Sequence, residues 1–175
     1  MPHTIIKICG ISTAETLSAC IAARAEWVGL NFFPPSPRFV TPAAAARLAA
    51  QAGGAIRKAG VFVDPDDTCL AEAVAAGKLD AIQLHGHESP ERTAQVRERF
   101  GLPVWKVLSV SMADDVARAA AYADAADFML FDAKTPKGQL PGGMGLMFDW
   151  GLLAAYRGRL AWGLAGGLTP ANVAD

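Results

Sequence analysis

Two side chains in this sequence are suited to moving protons. Cys9 closes the apolar run "TIIKIC" and is followed directly by Gly10, and Asp132 closes "FMLFD". A thiolate can take a proton from carbon, and a carboxylic acid can give one to oxygen. A thiol works as a base near neutral pH only with cations or helix N-termini close by. The candidates for that help are Lys7, two residues before Cys9, and Lys106 in "VWKVL". The bland readings stay open: a lone cysteine among apolar neighbours is often packing, and an aspartate after a strand often caps a turn.

Further groups have types suited to holding an anion. Arg38 sits in "PPSPRFV", residues 34–40, where prolines stiffen the loop and a pre-ordered guanidinium could grip a carboxylate with two parallel hydrogen bonds; it could equally be a solvated loop arginine. Gly166 and Gly167 in "LAGGLTP" let backbone N–H groups approach a phosphate, and Thr169-Pro170 after them reads as the start of a helix whose N-terminus adds positive charge. "PGGMG", residues 141–145, brings Gly143 into a loop after Asp132 that reads either as a mobile lid with a second backbone approach or as an ordinary connection. His85, in "QLHGHE", stands at a strand exit and could line a pocket. No residues stand at metal-ligand spacing on a helix.

Positioning these groups falls to a regular series of elements. Apolar runs recur at 4–9, 27–33, 59–63, 81–85, 104–108, 128–132 and 160–165, each short and bounded by polar, Gly or Pro residues, as buried strands are. Amphipathic segments separate them, and two open on strong start signals: Thr41 as N-cap with Pro42 in the first helical position, then Ser89 with Pro90. Seven alternations of strand and helix imply right-handed βαβ units and a parallel sheet, either open or closed as a (βα)₈ barrel. Polar residues at the C-terminal ends of the strands favour the barrel, whose chemistry lies at those ends. Period-two alternation then groups Ile5, Lys7 and Cys9; Ala81, Gln83 and His85; Val104, Lys106 and Leu108; and Phe128, Leu130 and Asp132 on inward faces, so that Cys9 and Asp132 open into one cavity.

The bulk properties restrict the setting. The chain has 175 residues, 52% of them hydrophobic, enough for one substantial core and short for two, so a single domain over 1–175 is expected. Sixteen Lys and Arg against seventeen Asp and Glu leave a formal charge of -1 with no basic or acidic block, which argues against a nucleic-acid or membrane-surface partner. Three cysteines without paired spacing support neither a disulfide framework nor a zinc site, and the thiols are expected to be reduced. The first ten residues hold too short an apolar run for a signal peptide, and no stretch approaches a membrane span, so a cytoplasmic protein is expected.

The motifs "KICGI", "SPRFV", "GVFV", "QLHGHE", "FDAKTP", "PGG-G--FDW" and "LAGGLTPANV" come in order over nearly the whole chain, and in this the sequence resembles the phosphoribosylanthranilate isomerases of tryptophan biosynthesis. The resemblance implies a (βα)₈ TIM barrel and a cofactor-free Amadori rearrangement of a small phosphosugar substrate, in a monomer or homodimer. It assigns Cys9 as general base and Asp132 as general acid. Arg38 would hold the anthranilate carboxylate, Gly166 and Gly167 part of the phosphate, with His85 and Gly143 as further substrate contacts. Met144 departs from a threonine usual in that loop and removes a hydroxyl donor. The sequence stops at Asp175 inside the helix expected after strand 7, so the barrel is expected to be C-terminally incomplete, lacking its eighth strand. The rival expectation is a non-catalytic or inactivated phosphate-ligand-binding barrel fragment.

Overall fold

The computed structural model describes residues 4–135 and 146–173. Its strands are β1 (Lys7–Cys9), β2 (Trp27–Asn31), β3 (Arg57–Phe62), β4 (Ala81–Leu84), β5 (Val104–Val110), β6 (Phe128–Ala133) and β7 (Trp162–Leu164). They order as β1 to β7 in one sheet, and the registered pairs β1–β2, β2–β3, β5–β6 and β6–β7 are all parallel. The helices are α1 (Ala14–Ala22), α2 (Pro42–Ala52), α3 (Asp67–Gly77), α4 (Pro90–Phe100) and α5 (Ala113–Ala117).

The start signals operate as the sequence implies. Thr41 Oγ1 accepts from the Ala44 N–H and Ser89 Oγ from the Arg92 N–H, both at 3.2 Å, satisfying donors that a helix leaves free at its first turn. Thr13 and Asp66 cap α1 and α3 in the same way, through the N–H groups of Thr16 and Cys69. Cys20 is buried in α1 and Cys69 half-buried in α3, as packing residues.

The alternation is less regular than expected. Five α-helices stand among the described residues instead of seven. After β6 comes a 3₁₀ helix, Trp150–Ala155, and residues 170–173 after β7 form a turn. Asp149 caps the 3₁₀ helix, its Oδ1 accepting from the Gly151 N–H at 2.9 Å. The first strand is also shorter than the apolar run that announces it: Ile5 and Ile6 precede it and are exposed.

The chain separates into two compact units, Met1–Gln83 and Leu84–Asp175. In the first, β2 and most of β3 are buried, and Phe32 stacks on Phe62 with ring centroids 5.2 Å apart. In the second, Leu108 and Val110 of β5 with Met129 and Phe131 of β6 pack against Val116, Ala119 and Tyr122, with Tyr156 edge-on to Phe131 at 5.3 Å. Each fully buried Leu or Phe contributes about 2 kcal/mol. The exposed Arg159–Asp124 pair, at 2.6 Å, is of a kind worth about 0–1 kcal/mol. Apolar packing, not surface charge, therefore holds this unit.

That packing corrects the expected orientation of β5. Lys106 pairs in register with Met129 and Ser109 with Asp132, and neighbours in register share a face. Lys106, with Leu108 and Val110, thus points into the helical layer, on the face opposite Asp132. Its ammonium lies 5.8 Å from the Tyr122 ring centroid. Lysine 106 is not an inward cation available to a thiolate.

Candidate active site

In the first unit the chemistry gathers at the end of β1. Cys9 is exposed and pairs in register with Gly29 of β2. A methyl group on Gly29 would lie 2.9 Å from Cys9 Sγ and 3.0 Å from Lys7 Nζ, so the missing side chain is what lets thiol and ammonium share one patch. The alternation that puts Lys7 and Cys9 on one face holds.

Gly10 follows with φ +82°, a conformation that L side chains rarely adopt, and its N–H donates to the Gly29 carbonyl at 2.9 Å. Arg38 lies across it: a Cβ at Gly10 would meet Arg38 Cδ at 2.5 Å and Nη1 at 3.1 Å. The loop that carries Arg38 is fixed by groups not singled out in the sequence. Asn31 Oδ1 accepts from the Phe33 N–H at 2.9 Å, its Nδ2 donates to Ser36 Oγ at 3.1 Å, and Ser36 Oγ accepts from the Arg38 N–H at 3.2 Å. The signal was present in the Asn and Ser flanking the prolines, since both residue types hydrogen-bond nearby backbone in turns. The result is an ammonium beside the thiol and a guanidinium over the residue that follows it, suited to an anionic substrate that has a proton to lose.

In the second unit the chemistry gathers at the ends of β4, β6 and β7. Asp132 is buried, 6% exposed. Its Oδ1 accepts from the Ala133 N–H at 2.8 Å, and its Oδ2 lies 3.4 Å from His85 Nε2. The apolar runs predict that both residues end strands; Asp132 is the last residue but one of β6 and His85 directly follows β4, and the runs do not predict that the two touch. Behind the carboxyl, a methyl on Gly166 would lie 2.5 Å from Oδ1 and 2.7 Å from the Ala133 nitrogen. Histidine, glycine backbone and strand thus enclose one carboxyl group, which can exchange a proton with a ligand while little water competes.

Gly166 and Gly167 have φ of +80° and +69°. Asn172 closes the turn after them, donating through Nδ2 to the Gly167 carbonyl at 2.9 Å and accepting from the Thr169 N–H at 2.7 Å. Since residues 170–173 show a turn, any anion here would rely on the glycine loop's backbone donors. Gly143 and Met144, with the lid reading of residues 141–145, lie outside the described residues. Among the described residues no group of three or more His, Cys, Asp or Glu could hold a metal ion, and no helix is long and apolar enough to cross a membrane.

The profile of the N-(5'-phosphoribosyl)anthranilate isomerase family matches residues 6–175. The chain belongs to that family. It is 53% identical over 171 residues to the N-(5'-phosphoribosyl)anthranilate isomerase of Paramagnetospirillum magneticum, covering 97% of this chain and 80% of that one. Against the enzyme of the same name from Rhodospirillum rubrum it is 49% identical over 182 residues, covering 100% and 83%. The crystal structure of phosphoribosyl anthranilate isomerase from Thermotoga maritima superposes with a TM-score of 0.86 at 34% identity, covering 98% of this chain and 80% of that one. Another structure of the family, solved with reduced 1-(o-carboxyphenylamino)-1-deoxyribulose 5-phosphate, gives 0.83 at 31% identity, with the same coverage. The fold class is accordingly that of the (βα)₈ TIM barrel, seven of whose strands are among the described residues.

Proposed function

We propose that the chain catalyses the Amadori rearrangement of N-(5-phosphoribosyl)anthranilate to 1-(2-carboxyphenylamino)-1-deoxyribulose 5-phosphate, a step of tryptophan biosynthesis, with Asp132 as general acid and Cys9 as general base. Family membership supports the reaction, and the residue types support the roles. Asp132 delivers a proton to the ribofuranose ring oxygen as the bond from C1 to that oxygen breaks. The anilino nitrogen's lone pair forms a protonated Schiff base, an electron sink. Cys9 then takes the proton from C2, giving an enol amine; protonation of C1 and loss of the C2 hydroxyl proton, which restores the acid, complete the ketone. Atoms balance without oxidant, metal or organic cofactor.

The observation that supports this reading best is the enclosure of the Asp132 carboxyl by His85 and Gly166, which favours proton delivery to a ligand over exchange with solvent. Arg38 holds the anthranilate carboxylate; the Gly166–Gly167 backbone takes part of the phosphate; His85 and Gly143 complete the substrate contacts. Lys7 supplies the positive charge next to the thiol. We infer a cytoplasmic protein acting as a monomer or homodimer; the Thermotoga maritima relative is described as dimeric.

Two measurements on the full chain test the proposal: loss of anthranilate-substrate fluorescence with time, and calorimetry with the reduced product analogue. Turnover together with analogue binding is the expected result. Binding without turnover would overturn it in favour of a phosphate-ligand binder.

A further inference from the structure

The reaction makes no use of the most deeply buried charges in the second unit. Lys106 Nζ lies 2.6 Å from Glu88 Oε2, the two side chains being 1% and 2% exposed. Such a pair adds little net stability, because desolvating two charges offsets most of their attraction. Its hydrogen bonds show what it does hold. The ammonium also donates to the Gly86 carbonyl at 2.8 Å and, more weakly, to the Leu84 carbonyl at 3.5 Å. The Glu88 carboxylate accepts from the Gly86 N–H at 3.0 and 3.2 Å, and the Tyr122 hydroxyl donates to the Glu88 carbonyl at 2.8 Å.

Residues 84, 86 and 88 are therefore fastened by groups on the helical side of β5. His85 stands between the fastened positions, and its ring reaches Asp132 on the opposite face of the sheet, 3.4 Å away. We propose that the Lys106–Glu88 pair is a positioning device for His85: it fixes the backbone on both sides of that residue and thereby sets the imidazole against the Asp132 carboxyl. The inference rests on reading Asp132 as the acid. Lys106 and Glu88 are positioning residues, acting through His85 without touching substrate.

A double-mutant cycle on the full chain tests it, comparing the unaltered protein, Lys106→Met with Glu88→Met, His85→Ala, and all three together. Replacing both charges leaves neither buried alone, so this variant folds where Lys106→Met by itself risks failure. The paired replacement is expected to lower kcat about 10- to 100-fold, the scale of a small misplacement. In the His85→Ala background the same replacement should change kcat by no more than about two-fold. Equal losses in both backgrounds, or no loss in the first, overturn the proposal. A second readout needs no turnover: the His85 ring resonances, identified by their absence from His85→Ala, must shift in the paired variant, and unchanged resonances also overturn it. Absence of turnover in the unaltered chain would instead count against the catalytic reading, so the two failures are distinguishable.

Discussion

The backbone of Gly166 is packed so tightly against Asp132 that a single added methyl group would stand 2.5 Å from Oδ1, inside the distance that a Cβ keeps from non-bonded heavy atoms. With φ at +80°, the position is also strained for any residue with a side chain, by about 1–2 kcal/mol. Gly166→Ala should therefore lower thermal stability by at least that amount, the clash adding to the strain, and displace the carboxyl. Steady-state kinetics should show kcat falling more than KM rises; an unchanged kcat would mean that the enclosure of Asp132 has no catalytic role.

Asp132→Asn and Cys9→Ser each remove one proton-transfer group with almost no change in size. Turnover should drop by about 10²–10⁴-fold in each. Melting temperatures should stay close to that of the unaltered chain. Near-normal turnover in either folded variant removes that residue from its assigned role.

Arg38 crosses Gly10, and its planar fork can meet a carboxylate with two parallel bonds. Lysine keeps the charge but not the fork. Arg38→Lys is expected to raise KM about ten-fold, equivalent to about 1.4 kcal/mol, with a smaller change in kcat. An unchanged KM would show that the guanidinium does not hold the anthranilate carboxylate.

Asp115 gives a pH dependence whose sign can be worked out. Burial by itself raises its pKa, but the Ser111 N–H and hydroxyl, at 2.9 and 3.0 Å, Lys134 and the Met112 N–H outweigh it, and the net shift is downward. A lowered carboxyl pKa contributes stability above the unfolded value, about 3.9, that disappears as pH falls through the folded one. Asp115→Asn should cost about 1 kcal/mol near neutral pH, as lost N-terminal helix contacts do. Denaturant melts at decreasing pH should show the gap between the two proteins closing below about pH 4. A gap constant with pH would mean that the carboxylate charge is not what stabilises the start of α5.

Much of the architecture was legible because its signals are local. Thr41-Pro42 and Ser89-Pro90 mark helix starts by side-chain capping and a preset φ, and both helices begin there. Cys9 ends β1, and Asp132 lies one residue before the end of β6, because apolar runs stop at them. The face of β5 was misread because strands of a parallel sheet are buried on both sides, so alternation carries no polarity contrast to fix the phase. A lysine in such a strand looks alike whether it meets substrate or a buried carboxylate, and Glu88 lies 18 residues away in sequence. The His85–Asp132 contact was hidden for the same reason, being a relation between strands and not within one. The Ala-rich stretch at 118–126 favours helix by propensity, yet α5 gives way to a 3₁₀ segment, Arg118–Tyr122, whose Ala119 and Tyr122 are claimed by the core.

Tyr122 is buried in that core with its hydroxyl bonded to the Glu88 carbonyl, and burial raises its pKa above the ordinary phenol value; Tyr156 is raised in the same way. A raised phenol pKa contributes stability below about 10 that is lost as pH climbs through the folded value. Alkaline solution therefore works against this half of the chain. These are the protein's only two tyrosines. The ultraviolet colour change of Tyr122 on ionisation is thus a built-in optical clock for the loosening of the His85 loop, and that of Tyr156, bonded to the Leu160 carbonyl, for the packing around Phe131, both readable without any attached dye.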